Sequence, residues 1–265
     1  MSTSEIDVPS AGEPAPRVLH VAVLETLGID LPRTARILDF GCGAGHEVDA
    51  LRSGGYVNAV GYDVTDGRTL ASRGREHVTV GSLLDLRLPY EDETFDLVIS
   101  DQVFEHVHDQ VNVLRELFRI TRTGGHALHV IPARYAPIEG HVHVPFGGVL
   151  QHRWWYKLWA LLGVRNEFQT GLSADETADH NTFFAAESTR YVPTSCYRVV
   201  FDAIGFRYRF AEQEFFDGHP RLSMRMIGRL GAPATWLYRT FRMRIVHLHK
   251  PEGGARHAGS TASGR

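Results

Sequence analysis

Apolar runs of strand length alternate along this chain with segments whose apolar positions recur at helical spacing. A first helix is expected over 18–27, followed by the buried strand Arg36-Ile-Leu-Asp-Phe-Gly41 and a helix from about Gly45. Strands follow at 57–63, 78–80 and 95–100. Over 110–120, Val111, Val113, Leu114, Leu117 and Phe118 share one broad face, the mark of a helix lying on a sheet. Gly124 and Gly125 are expected to stop that helix and open a strand at 126–131. A helix at 194–204 then ends on Gly205, and 206–210 and 222–227 read as an antiparallel strand pair. Strands alternating with helices predict an α/β fold with a mostly parallel sheet.

Residues 133–193 separate the strand at 126–131 from the helix at 194–204, far more than the ~4–6 residues of a usual connection, so they are expected to form an inserted cap. Residues 1–16 and 251–265 are rich in Ser, Pro, Gly and Ala and read as tails, leaving a structured domain over 17–250. With 43% hydrophobic residues, 265 residues suffice for a full core. The net charge of -3 argues against nucleic-acid binding through bulk positive charge. No apolar run approaches the ~18 residues of a membrane span, so no stable membrane insertion is expected. Cys42 and Cys196 are too few for a disulfide framework, and the N-terminus lacks a secretory pattern, so a cytoplasmic location is expected. The basic, aromatic segment 236–250 reads as an amphipathic helix that packs on its own domain or on a second copy in a homodimer, in preference to a membrane surface.

The most informative stretch is Leu38-Asp39-Phe40-Gly41-Cys42-Gly43-Ala44-Gly45-His46-Glu47, a strand entering a glycine turn and then a helix. Glycines let the chain turn tightly and let a ligand approach the backbone at a helix start. A dinucleotide fingerprint would need glycine at position 46, where His46 stands, which disfavours an NAD-dependent oxidoreductase. Asp63 closes the second strand, 22 residues after Gly41, where a carboxylate can accept both hydroxyls of a ribose.

These residues resemble the signature of class I S-adenosylmethionine-dependent methyltransferases of the small-molecule branch. The segments Leu88-Pro89-Tyr90-Glu91-Asp92-Glu93-Thr94-Phe95-Asp96-Leu97-Val98 and Phe104-Glu105-His106-Val107, with the pair Gly124-Gly125, extend the resemblance. It implies a Rossmann-like sheet of seven strands with helices on both faces, a cap inserted after the fifth strand, and S-adenosylmethionine as cofactor. By position it implies that Gly41, Gly43 and Gly45 pass beneath the methionine and ribose, with Asp39 ordering the loop and the ligand's amino group. Asp63 would hold the ribose, Leu84 and Asp85 would lie beside the adenine, and Asp101 and Gln102 would face the methionine end.

A sulfonium methyl is already activated, so the protein must align donor and acceptor and exclude water; a hydroxyl acceptor also needs a base. If 139–146 is extended, alternation sets His141 and His143 on one side and Val142 and Val144 on the other, making the two histidines the candidate bases. Glu139 with this His-x-His pair also has donor types that suit a divalent metal; with no further ligand fixed by the sequence, the base assignment is preferred and no metal is expected. His106 is expected to order the strand-to-helix turn or touch the cofactor. Trp154, Trp155 and Trp159 offer flat surfaces to a sugar or aromatic acceptor, at least two of them being expected in the cap core. The reading is methyl transfer to a small polar acceptor, a hydroxyl of a saccharide or secondary metabolite. The rivals are transfer to nitrogen or carbon and a non-catalytic cofactor-binding scaffold.

Overall fold

The computed structural model describes residues 18–64, 77–81 and 87–252. Along the chain run α1 (Leu19–Thr26), β1 (Ile37–Phe40), α2 (His46–Ser53), β2 (Ala59–Asp63), β3 (Val78–Val80) and β4 (Phe95–Asp101). These are followed by α3 (Gln110–Ile120), β5 (Thr121–Pro132), α4 (Arg153–Leu161), α5 (Ala174–Glu187), α6 (Thr194–Ile204), β6 (Arg207–Phe210), α7 (Glu212–Gly218), α8 (Leu222–Gly228), α9 (Ala232–Phe241) and β7 (Met243–His249). Among the described residues the sheet has seven strands in the order β3-β2-β1-β4-β5-β7-β6. The five strands from β3 to β5 are parallel, and β7 runs antiparallel to both β5 and β6.

Alternation along the central strands divides the core into two layers. Ile37, Leu97 and Ile99 pack with Val21 and Leu24 of α1 and Leu51 of α2. Leu38, Phe40 and Val98 face the other way, onto Leu114 and Leu117 of α3 and Phe201 of α6. Both faces are thus covered by helices, as a parallel sheet requires. The cap has a small core of its own, in which Val142, Val144, Tyr156, Ala178 and Ala185 meet between α4 and α5. Trp155 and Trp159 pack against it, while Trp154 stays 61% exposed.

Three expectations need correction. Residues 222–227 are helical, in α8: the alternation of Leu-Ser-Met-Arg-Met imitates a strand, but only Met224 packs on the core, while Leu222, Met226 and Ile227 stay exposed. The partner of β6 is instead β7, which lies in the segment expected to be one amphipathic helix over 236–250. Only its first part is helical, in α9. In β7 the apolar residues Ile245, Val246 and Leu248 are buried on both faces, and the basic residues that imitated a polar face are buried too. Lys250 donates to the carbonyls of Phe118 (3.0 Å) and Thr121 (2.9 Å). Gly124 and Gly125 do not stop α3, which passes directly into β5 at Thr121. They form an irregularity within the strand, where Gly124 N–H reaches Lys250 O at 2.8 Å and Lys250 N–H reaches Gly125 O at 3.0 Å. The tails expected over 1–16 and beyond 252 lie outside the described residues, as do Leu84 and Asp85.

Candidate functional site

The carboxyl ends of β1, β2 and β4 open onto a cleft of about 250 Å³ lined by Phe40, Gly41, Tyr62, Asp63, Gln102, Val103 and His106 among others. The glycine loop is folded back on β2: the N–H groups of Gly41 and Cys42 reach Tyr62 O at 2.7 and 3.2 Å, and Gly43 N–H donates to Asp63 Oδ2 at 2.8 Å. Gly41 has φ +78°, and a β-carbon there would stand 2.3 Å from Val103 Cγ2, so no side chain fits. At Gly43, with φ +50°, the same position is open for 4 Å around, so here the backbone faces free space. Gly45 caps α2 in the left-handed conformation. Hydrogen bonding assigns the ordering of this loop to Asp63.

Asp39 lies beneath the loop and is buried. Burial pushes its carboxyl up to about 7; nearby His20 opposes this, and Glu47, Asp101 and Asp63 reinforce it. Asp101 is open to solvent on one side and is also shifted upward by partial burial. His20 is held to Glu47 by a 3.0 Å contact and, among the described residues, is the positive group that acts on Asp39 and Asp101. Among the described residues, carboxylates therefore outnumber cations at the ends of β1 and β4, which favours a ligand carrying positive charge. Gln102, also at the cleft, has φ +53°, a costly conformation for a residue with a side chain.

The cap segment 139–145 is a turn wrapped around Glu139, not an extended strand. The carboxylate of Glu139 accepts from His141 N–H and Val142 N–H (both 2.7 Å), from Tyr191 Oη (2.5 Å) and from His141 Nδ1 (2.8 Å). Burial would raise its pKa, but these donors hold it at about 2. Val142 and Val144 point into the cap core as alternation suggests, and His141 and His143 both line one hollow of the cap. His143 is exposed, with φ +59°. His141 turns inward, its ring 4.9 Å from that of His106 on the cleft wall. Glu139 stabilises the His141 imidazolium and raises its pKa. The same hydrogen bond places the proton on Nδ1 and leaves Nε2 as the basic nitrogen.

One member of this group is absent from the candidates drawn from sequence. Glu105 is 1% exposed, and neither carboxylate oxygen has a hydrogen-bond partner. Burial pushes it up to about 7. Ligand atoms of Glu105, His106 and His141 all lie within 4.8 Å of one another. His106 uses Nδ1 on Ser188 O at 2.7 Å, and burial lowers its pKa. The trio Glu139, His141 and His143 is not a cation site, since Glu139 is saturated with donors. The signal for Glu105 was the Glu-His pair just past β4, whose burial only the fold reveals.

Residues 38–129 match the family model of a methyltransferase domain. A probable S-adenosylmethionine-dependent methyltransferase of Mycobacterium tuberculosis is 38% identical over 119 residues, 43% of this chain and 42% of that protein. A glycine/sarcosine/dimethylglycine N-methyltransferase of Actinopolyspora halophila is 32% identical over 113 residues, 39% of this chain and 20% of that protein. In fold, an S-adenosylmethionine-dependent methyltransferase from Mesorhizobium loti aligns with a TM-score of 0.50 at 16% identity, covering 86% of this chain and 95% of that one. The matches span about two fifths of the length of the first curated relatives. With the strand order and the glycine loop, they show a methyltransferase domain over residues 38–129 and the fold of the S-adenosylmethionine-dependent methyltransferases. The cofactor is S-adenosylmethionine, and the cleft suits it: Gly43 faces open space, and the acids Asp39, Glu47 and Asp101 match a ligand bearing ammonium and sulfonium charge.

Proposed function

We propose that this protein transfers a methyl group from S-adenosylmethionine to a hydroxyl oxygen of a small polar acceptor, a saccharide or secondary metabolite, with His141 as the general base. The observation that carries this reading is the contact of His141 with His106: a histidine oriented by a carboxylate stands against the wall of the cofactor cleft. The bound cofactor supplies an electrophilic methyl on sulfur. His141 Nε2 takes the acceptor's proton, Glu139 stays ionised and stabilises the imidazolium, and the cap keeps water from the reacting atoms. Asp39 and Asp101 hold the amino-acid end, Asp63 the ribose, and exposed Trp154 gives the cap a flat surface for a sugar ring. A cytoplasmic location accords with Cys42 and Cys196 standing outside any disulfide. No helix among the described residues is long and apolar enough to cross a membrane.

Replacing His141 with Ala is expected to lower turnover by about 10²–10⁴-fold with S-adenosylhomocysteine affinity intact, while His143→Ala has a smaller effect. Normal turnover in His141→Ala would remove the base. Wild-type rate should rise with pH as His141 is deprotonated, above the ordinary imidazole range because of Glu139. A second reading is favoured by the Glu105–His106–His141 cluster, a two-histidine, one-carboxylate donor set. There a divalent cation would activate the acceptor oxygen, and chelation would abolish turnover that added cation restores. Methyl attachment to nitrogen in the isolated product, read by NMR, would replace the oxygen assignment. Binding of cofactor without turnover on any acceptor class would favour the scaffold.

A further inference from the structure

A second cavity, of about 360 Å³, lies where β5 ends and β7 begins, and its wall carries Arg134, Arg198, Arg239 and Arg244. Ile131 and Pro132 pair with Arg244 and Met243, which sets this cavity at the same carboxyl edge of the sheet as the cofactor cleft. Arg244 is 2% exposed. It donates to Val192 O at 2.6 Å and Pro132 O at 2.7 Å, and its Nε has no partner. Its guanidinium rests 5.1 Å from the ring centre of Tyr197, and no carboxylate among the described residues forms an ion pair with it. Burying a charge without a counter-charge is costly unless something else compensates it.

The neighbours add positive charge. Glu212 pairs with Arg239, whose Nε is also without a partner, whereas Arg134 and Arg198 have no ion-pair partner among the described residues. The cavity also meets the start of α6, at Thr194 and Ser195. Pro193 occupies the N-cap there and supplies no side-chain acceptor; its carbonyl takes Cys196 N–H at 3.0 Å, and Thr194 and Ser195 bring the positive end of the helix dipole to the cavity wall. Arginine forks and a helix start are the donors that recognise tetrahedral oxyanions. Tyr135 and Trp236, both exposed, add aromatic surface at the rim.

We infer that this cavity is a binding site for the phosphoryl group of a phosphorylated small molecule, with Tyr135 and Trp236 set to meet its ring. The site stands independently of which atom accepts the methyl group. Inorganic pyrophosphate is the probe, titrated calorimetrically into the full chain saturated with S-adenosylhomocysteine. Saturable binding to the wild type is expected. The rim variant Arg134→Ala/Arg198→Ala should weaken it at least tenfold while S-adenosylhomocysteine affinity stays within twofold. Arg244→Lys, which keeps the charge and loses the fork, should weaken it similarly; should that buried variant fail to fold, the rim variant decides. Absence of saturable pyrophosphate binding to the wild type, or equal binding to the rim variant, overturns the assignment. Because S-adenosylhomocysteine affinity is read on the same samples, failure of the cofactor site is seen separately.

Discussion

Asp39 shows how a single side chain carries a cost that only a ligand can offset. Its carboxyl titrates at about 7 in the fold against an ordinary value near 4, so the folded state favours the protonated form. This group's contribution to stability is therefore full below about pH 4 and is lost as pH rises through about 7. Asp39→Asn should accordingly fold more stably than wild type at pH 8, by about 4 kcal/mol, with the gain shrinking toward pH 4. Urea titrations at the two pH values measure this, and an unchanged difference would remove Asp39 from the titration. The variant should bind S-adenosylhomocysteine more weakly, since a cationic amino group loses its counter-charge. Asp63→Ala should cost about 1.5–3 kcal/mol of cofactor affinity by calorimetry, part of it through the loop that Asp63 orders at Gly43. Gly41, Gly43, Gly45 and Asp63 were legible in sequence because turn chemistry is local. Glu105 was not, because lack of a partner is a property of the surroundings; His141 and His143 line one hollow of the cap, although the segment that carries them is a turn where an extended strand was expected.

At the scale of elements, the helices with clear caps or one apolar face were readable to the residue. α3 and α6 are the cases, the second ending on Gly205 at φ +104°. A β-carbon at Gly205 would meet Phe118 no closer than 3.7 Å, so Gly205→Ala should cost only the backbone strain, about 1 kcal/mol in thermal unfolding. What could not be read was β7, whose arginine, histidines and flanking lysine mask a strand buried on both faces. Next to β5, His247 is buried against His126, and burial pushes their pKa values down to about 3 and 4. Both are neutral in the fold and gain protons on unfolding, so their contribution is present above about pH 6.5 and is lost as pH falls toward 4. His247→Gln should flatten that acid limb by about 3 kcal/mol between pH 6.5 and 4, one pKa unit being worth about 1.4 kcal/mol. Parallel slopes for variant and wild type in denaturation between pH 6.5 and 4 would contradict it.

For the whole molecule, the cofactor cleft and the arginine cavity share one edge of one sheet, so ligands at either should stabilise the fold by mass action. S-adenosylhomocysteine is expected to raise the melting temperature and NAD to leave it unchanged; stabilisation by NAD alone would overturn the assignment of the cleft. The parallel sheet and its cap were legible because alternation and one overlong connection are coarse features, robust to local error. The insertion of β7 between β5 and β6 also bears on how the chain is made. During synthesis β5 emerges more than a hundred residues before the strand that covers its free edge, so the nascent sheet carries an open, apolar edge through the making of the whole cap. A ribosome paused between residues 132 and 243 would hold a protein with a glycine loop and no arginine cavity, and the final seven-residue strand would close both the sheet and that cavity in one step.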